Sequence, residues 1–490
     1  MRLAELAGAL GQDAGAAGSE LVTGFAIDHR KVAPGNVFGA FEGATVNGED
    51  FIPAAIASGA IAVVARPQAK VSGALHLADP LPRRAFAQAA ARFFTPVPAT
   101  VVAVTGTNGK TSVVEMTRQL WRMCGHSAAS IGTLGVTTPD ESVSTGLTTP
   151  DIVTFFHNVS GLAREGVTHL AYEASSHGLS QYRNEGLAVQ AGAFTNLSRD
   201  HLDYHADMAD YFSAKMRLFT EVVADGGTAV IWADDDWSQT AALVAQARGL
   251  RVFSVGEAGA DLKIASRQPG ALGQDLAIVY HGETRSIRLP LIGAYQVANA
   301  LVAAGLALAT GEAPARVFDA VARLQPVRGR LERAAITQAG APVYVDYAHT
   351  PDALEAAIAA LRPHVTGRLI TVFGAGGDRD TGKRAPMGAA AVAGSDVVIV
   401  TDDNPRGEEP AAIRAAILAG APGATEIGDR REAIAQAIAA AGAGDIVLIA
   451  GKGHEQGQII GRGADARVLP FDDVTVAREC AAALSGAQAR

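Results

Sequence analysis

TVVAVTGTNGKTS, residues 100–112, decides how this chain is read. Its apolar start has the composition of a buried strand, GTNG makes a tight turn, and Lys110-Thr111-Ser112 opens a helix. That order aims loop amides and the positive end of a helix at one point, which suits an anion. A lysine placed there reaches the outer phosphates of a nucleotide, and a hydroxyl holds Mg2+. The strict P-loop spacing is not met, because Val104 stands where its first Gly belongs and Gly106 lies only three residues before Gly109. A glycine-rich loop alone is often a mere turn; with the strand before it and Lys-Thr-Ser after it, the stretch reads as a nucleotide-phosphate cradle.

Working outward, the runs at 101–104, 170–173, 191–196 and 228–232 are short and apolar, with helical patterns between them. This alternation predicts buried parallel strands in a doubly wound α/β sheet, with ligand groups at the strands' carboxyl ends. Upstream, strand-like runs at 37–40 and 60–65 flank a helical pattern at 51–58, and the turn-rich DPLPR at 79–83 reads as a boundary. Downstream, apolar runs at 343–346, 369–373, 397–401 and 446–450 each lead into a polar or glycine-rich loop, predicting a second open α/β sheet. The segment VRGRLE at 327–332 reads as a connector. Three domains are expected: 1–85, 86–328 and 329–490. The loop GAGGDR at 374–379 imitates a dinucleotide fingerprint, but Arg379 occupies its sixth position, so it is not read as one.

A chain of 490 residues is too long for a single core. Its formal charge of −9 argues against a nucleic-acid partner, although a local cradle can be positive inside an acidic protein. Cys124 and Cys480 stand far apart and form no C-x-x-C, which suggests neither a disulfide framework nor a cysteine zinc site. The first residues carry Arg2, Glu5 and Asp13 and do not read as a signal peptide, and no run of about 18 apolar residues occurs. The expectation is a cytoplasmic protein without a membrane span.

Several polar residues fall at predicted strand ends. Glu173 follows the run at 170–173, where a carboxylate can coordinate nucleotide-bound Mg2+ or simply cap a loop. The loop at 195–205 packs Asn196, Asp200, His201, Asp203 and His205 together, offering ligands for a second cation or a hydrogen-bonded turn. Lys215, on the helical stretch 211–219, reads by itself as a snorkelling surface lysine.

GTNGKTS at 106–112, TTPD at 148–151, EASSHGL at 173–179, NLSRDHLDYH at 196–205, SAKMRLF at 213–219, GRLE at 329–332, DYAHTPDAL at 346–354, GAGGDRD at 374–380, DNPR at 403–406 and GKGHE at 451–455 follow one another in order. With them the chain resembles the Mur ligase superfamily, ATP-dependent amide-forming enzymes of peptidoglycan synthesis with folylpolyglutamate synthases as cousins. Within it, the chain is similar to the UDP-N-acetylmuramoyl-tripeptide synthetase branch. The resemblance implies a central P-loop-type ATP-binding sheet, flanked by a small N-terminal α/β domain for the UDP substrate and a C-terminal Rossmann-like domain for the amino acid.

The resemblance also assigns roles. Gly106, Thr107, Asn108, Gly109, Lys110, Thr111 and Ser112 fall on the ATP phosphates, and Asn299, Arg330, Asp346 and His349 on positions that bind or support the nucleotide. Thr111 and Glu173 match ligands of a first Mg2+. His201 and Lys215, the latter as a CO2-derived carbamate, match those of a second. Lys110, Glu173, His201 and Lys215 form the implied catalytic set. Asp28, His29 and Arg30 match the uridine-diphosphate site, with His29 where the family commonly has Ser. Thr148, Thr149, Ser175, Gln181 and Arg183 match residues that hold the sugar-peptide.

DNPR resembles enzymes that add meso-diaminopimelate, with Arg379, Asp403, Asn404, Pro405, Arg406, Gly451 and Glu455 around its distal end. A guanidinium forms a planar fork suited to a carboxylate. Lysine-adding relatives usually lack that Arg, and a solvated Arg in an Asn-Pro turn is the plain alternative. The implied activity is ligation of meso-diaminopimelate to the D-glutamate γ-carboxylate of UDP-N-acetylmuramoyl-L-alanyl-D-glutamate through an acyl phosphate, by a monomer. The rivals are the same ligation with L-lysine, a folylpolyglutamate synthase, and a nucleotide-gated scaffold without turnover.

Overall fold

The computed structural model describes residues 1–490 except 44–45, 139–141, 144–147, 201–203, 271 and 488–490. The chain divides into two compact units. The first comprises Met1–Ile264, Val279–Glu283 and Ala298–Ala320; the second comprises Ala265–Ile278, Thr284–Val297 and Val321–Arg490.

The first unit opens with a parallel sheet of Gly24–Ala26, Asn36–Gly39, Ala60–Ala65 and Leu75–Ala78, in sequence order. Helix Pro82–Phe93 covers it, with the Phe86 ring edge-on to Phe25 and Phe41. Gly39 permits this packing, since a Cβ there would meet the rings of Phe41 and Phe86.

The larger sheet of this unit runs in the order Arg251–Gly256, Val223–Trp232, Val189–Phe194, Thr100–Thr105, His169–Glu173 and Ala128–Gly132, all parallel. Two short antiparallel strands, Gly135–Thr137 and Ser142–Val143, follow Ala128–Gly132. These parallel strands are apolar on both faces because helices cover both, so every residue of His169–Glu173 and all but the first of Thr100–Thr105 are buried. The strand order reverses around Thr100–Thr105, which opens a crevice at its carboxyl end, where the glycine-rich turn begins.

The second unit holds a sheet in the order Glu332–Ile336, Pro342–Asp346, Ile446–Ala450, Leu369–Phe373, Val397–Val400 and Thr425–Glu426, parallel except for its first, antiparallel edge. Leu354, Met387 and Ile413 from three helices form one core face with Phe373 and Val400. Ile434 and Ile438 of helix Arg430–Ala440, with Val474 and Ala477 of helix Asp473–Ala487, form the other with Val372 and Ile449. Among the described residues no helix is long and apolar enough to cross a membrane.

Candidate active site

Strand Thr100–Thr105 ends at Gly106, and helix Lys110–Met123 begins after Gly109. Gly109 has φ +88°, and a Cβ there would press on Asn299 Oδ1; at Gly106, with φ +142°, a Cβ would fall on Thr195 Oγ1. Glycine is therefore required at both ends of the turn. Asn196 holds the turn from outside, its Oδ1 accepting from Asn108 N at 2.8 Å and its carbonyl from Thr107 N at 2.9 Å. Thr195 Oγ1 donates to Asn108 O at 2.6 Å, and Ser198 N donates to Thr107 Oγ1 at 3.0 Å. The helix N-terminus, with Thr111 and Ser112 on its first turn, thus faces the crevice in a fixed loop.

Two lysines converge on this loop. Lys110 Nζ donates to the carbonyls of Gly106 and Thr107 at 2.9 and 2.8 Å, and Lys215 Nζ donates to Gly106 O at 2.7 Å. Lys215, on helix Met208–Arg217, is buried, and its Nζ lies 4.3 Å from the centre of the Tyr211 ring. Burial first, and the Lys110 charge second, hold the Lys215 amine well below the ordinary lysine range. Far from snorkelling, Lys215 is a buried amine in the floor of the cradle, its charged form disfavoured there. His201, also expected here, lies outside the described residues.

Glu173 ends its strand beside the cradle and is 2% exposed. Its carboxylate accepts from Thr133 N at 2.7 Å and Thr133 Oγ1 at 3.2 Å, and Thr133 Oγ1 meets Thr148 Oγ1 at 3.1 Å. Thr149 Oγ1 donates to the Glu173 carbonyl at 2.7 Å and accepts from Ser175 N at 3.1 Å, with Ser175 Oγ 2.9 Å away. Arg183 bonds the Thr149 carbonyl and holds Gln181 Oε1 through Nη2 at 2.9 Å. The structure therefore brings Thr148, Thr149, Ser175, Gln181 and Arg183 together along one rim leading from Glu173. Thr133, which reaches Glu173 by both main chain and side chain, carried no sequence signal beyond its place after a strand.

In the N-terminal sheet, Asp28 caps a short turn by accepting from Arg30 N, and its carboxylate takes Nε and Nη2 of Arg30 at 2.9 and 2.8 Å. The Arg30 guanidinium lowers the Asp28 pKa to about 2. The His29 ring stacks on Phe51 at 4.4 Å, the two planes nearly parallel.

The second unit has its own cluster. DNPR follows strand Val397–Val400, and GKGHE follows the adjacent-but-one strand Ile446–Ala450. Lys452 Nζ sits fully buried between Asn404 Oδ1 at 3.0 Å, Glu455 Oε2 at 3.3 Å and Asp403 Oδ1 at 3.4 Å. Asn404 Nδ2 donates to Glu455 Oε2 at 2.8 Å. A Cβ on Gly451 would stand 3.0 Å from Asp403 Oδ2, so the two loops touch.

After Pro405, Arg406 takes φ +50°, a left-handed backbone that costs a non-glycine residue about 1–3 kcal/mol and is held by bonds on both sides. Its N–H donates to Ile459 O at 3.0 Å, Gly461 N donates to its carbonyl, and Nη1 donates to Gly377 O at 2.9 Å. Arg379 is exposed on the neighbouring loop. Lys452 escaped the sequence reading; its signal was its place inside GKGHE, opposite two acids.

Arg430 anchors both loops from below. Fully buried against Asp473 at 2.7 Å, it donates to Ala450 O at 2.9 Å and to Asp402 O at 3.3 Å. Elsewhere in this unit, buried Asp346 accepts from Leu331 N at 2.7 Å, Ala348 N at 2.9 Å and Tyr295 Oη at 3.2 Å, and burial raises its pKa. The Arg330 guanidinium lies 4.6 Å from the centre of the Tyr347 ring, and His349 Nδ1 donates to Tyr347 O at 2.9 Å.

A doubly wound sheet with a phosphate cradle at its switch point, joined to a second α/β unit with an acid-, amide- and guanidinium-bearing loop, defines a nucleotide-dependent α/β protein class. The chain belongs to the Mur ligase family. The Mur ligase catalytic domain matches residues 21–104, the middle domain 104–307, and the glutamate ligase domain 329–453. The UDP-N-acetylmuramoyl-L-alanyl-D-glutamate–2,6-diaminopimelate ligase of Zymomonas mobilis subsp. mobilis is 61% identical over 458 residues, covering 94% of each chain. The ligase of the same name from Bradyrhizobium diazoefficiens is 53% identical over 456 residues, 92% of this chain and 93% of its own. A solved structure of a ligase of that name superposes with a TM-score of 0.75 at 34% identity, covering 99% of this chain and 100% of its own.

Proposed function

We propose that this protein ligates meso-diaminopimelate to the D-glutamate γ-carboxylate of UDP-N-acetylmuramoyl-L-alanyl-D-glutamate, with cleavage of ATP to ADP and phosphate, in peptidoglycan precursor synthesis. The observation that carries the reading is the DNPR loop, where Arg406 is held in a strained backbone beside Asn404 and Glu455, in a chain alike along its length to ligases named for this reaction. The guanidinium fork matches a distal carboxylate, and Asp403, Asn404 and Glu455 match a distal ammonium, with Arg379, Pro405 and Gly451 shaping the pocket.

The γ-carboxylate attacks the γ-phosphorus of ATP, forming an acyl phosphate and releasing ADP. The amine of diaminopimelate then attacks the acyl carbon, the tetrahedral intermediate expels phosphate, and the amine proton leaves. Two anions must be brought together, so the protein acts by position and charge. Gly106, Thr107, Asn108, Gly109, Thr111 and Ser112 cradle the phosphates through main chain and hydroxyls. Lys110 turns from its loop carbonyls to the transferring phosphoryl group. Asn299, Arg330, Asp346 and His349 bind or support the nucleotide. Thr148, Thr149, Ser175, Gln181 and Arg183 orient the peptide end, and Asp28, His29 and Arg30 the uridine diphosphate.

The donor chemistry fits Mg2+: Glu173 is a buried carboxylate beside the Thr111 hydroxyl's helix, and a low-pKa amine at Lys215 is the form that CO2 converts to a carboxylate-like carbamate. Two Mg2+ ions, held by Thr111 and Glu173 and by His201 and carbamylated Lys215, would neutralise charge on the phosphoryl oxygens. We assign three domains, 1–85, 86–328 and 329–490, to the UDP substrate, ATP and amino acid, in a cytoplasmic monomer.

Phosphate release with ATP, Mg2+ and the UDP-dipeptide substrate tests the reading. Turnover is expected with meso-diaminopimelate and not with L-lysine, and Arg406→Ala is expected to lose it. Equal turnover with lysine refutes the role of Arg406; no turnover with either refutes the ligase.

A further inference from the structure

We infer that His126, His169 and Glu312 form a binding site for one transition-metal dication of the zinc class, at the end of the sheet opposite the phosphate cradle. His169 is the first residue of the strand that Glu173 ends, so the two lie about 13 Å apart at roughly 3.3 Å per residue. His126 follows helix Lys110–Met123, whose other end is the cradle, and Glu312 follows helix Ala294–Ala309, which carries Asn299. Three elements that build the cradle therefore meet again, at their far ends, on three ligating side chains.

The ligating atoms of the three residues lie within 4.8 Å of one another. His126 Nε2 is 2.5 Å from Glu312 Oε1, and the His126 and His169 rings stand 4.0 Å apart, tilted by 33°. Zinc bonds to imidazole nitrogen and carboxylate oxygen measure about 2.0–2.2 Å, which separates tetrahedral ligands by roughly 3.3–3.5 Å. Entry of the ion thus requires His126 and Glu312 to part by about 1 Å and the wider pairs to close, with solvent as fourth ligand.

The hydrogen bonds fix which nitrogen of His169 is available. Thr168 Oγ1 donates its single proton to the Ser127 carbonyl at 3.1 Å, so at 2.9 Å it accepts from His169 Nδ1–H. The lone pair is then on Nε2, as in metal sites where an outer partner sets the tautomer. The Trp121 ring shields His169 at 5.0 Å, and its Nε1 donates to Thr310 Oγ1 beside Glu312. A simple ion pair between His126 and Glu312 has no use for a second imidazole at ring-stacking distance. Two imidazoles and one carboxylate favour zinc-class ions over Mg2+, which prefers oxygen donors.

The test is zinc titration of the full chain, stripped by chelator and kept in excess Mg2+, against a chromogenic competitor. Wild type is expected to bind one zinc ion more than His126→Gln or Glu312→Gln, and zinc is expected to raise the thermal midpoint of wild type alone. Equal stoichiometry and equal midpoint shifts in all three overturn the site. Should those variants fail to fold, Thr168→Val and Thr168→Ser decide. Loss of the tautomer-setting hydroxyl is expected to weaken zinc binding about 10–100-fold in the Val variant and not in the Ser variant. Identical affinity in both overturns the inference.

Discussion

Lys452→Met is expected to loosen the DNPR and GKGHE loops. Its ammonium is fully buried between Asp403, which is 6% exposed, and Glu455, whose side chain is 32% exposed. Glu455 can turn to water when the lysine is lost, so solvent screens most of its share. Asp403 cannot, and losing its nearest cation costs up to about 3–5 kcal/mol, with Arg430 and Lys383 still acting on it from farther off. Asn404 Oδ1 keeps a donor in Ile459 N at 2.9 Å, so that hydrogen bond adds little.

At about 1.4 kcal/mol per tenfold, local opening then becomes roughly 10²–10⁴-fold more frequent. Hydrogen exchange read by mass spectrometry over peptides 397–406 and 446–455 measures this, with the strand Thr100–Thr105 as an internal control. The double variant Lys452→Met with Asp403→Asn removes the under-compensated charge and is expected to restore more than half of the lost protection. A rise below tenfold in the single variant, or no recovery in the double, refutes the account of Lys452 as the counterion of a buried acid.

His454 is held to about 4 by burial and by Arg330, Arg328 and His349, against 6.5 unperturbed. Below pH 6.5 the unfolded chain binds a proton that the native ring refuses until about pH 4, so stability falls as pH is lowered through that window, by at most about 3 kcal/mol. Urea unfolding at pH 7 and 4.5 is expected to show a smaller loss in His454→Gln. Gly109→Ala forces a side chain onto φ +88° and against Asn299, with a backbone cost of about 1–2 kcal/mol. Calorimetric titration with ADP is expected to show at least about fivefold weaker binding, and unchanged affinity refutes the cradle geometry. Lys215→Met is expected to lower the rate of phosphate release by about 10²-fold or more while ADP binding persists; activity within tenfold of wild type contradicts its placement beside the transferring group.

The buried strands were legible because their covered faces leave continuous apolar runs; 60–65, 369–373 and 446–450 coincide with Ala60–Ala65, Leu369–Phe373 and Ile446–Ala450. The run at 191–196 was read two residues too far, because Thr195 and Asn196 leave the ladder to brace the cradle. Strands Leu262–Gly270 and Glu283–Leu289 were missed, since their many exposed positions break the apolar run that marked the others; Gly273–Tyr280 was missed although its residues 276–280 are an apolar run. Glycines and Lys110 announced the cradle because its parts are contiguous. Lys215 could be placed only by resemblance, as the burial that lowers its pKa comes from distant residues. The cluster of His126, His169 and Glu312 had no local signature, because it joins a strand's first residue to two loop positions far apart in sequence.

Arg430 bears on the order in which the molecule is completed. The carbonyls it holds, at Asp402 and Ala450, belong to the two loops proposed to grip the amino acid, yet its own counterion is Asp473, made after both. During synthesis from the N-terminus, the cradle has all its braces once Asn299 has emerged. The amino-acid loops must wait for residue 473, so in the nascent chain the braces of the phosphate cradle are all made well before those of the loops proposed to discriminate what to attach.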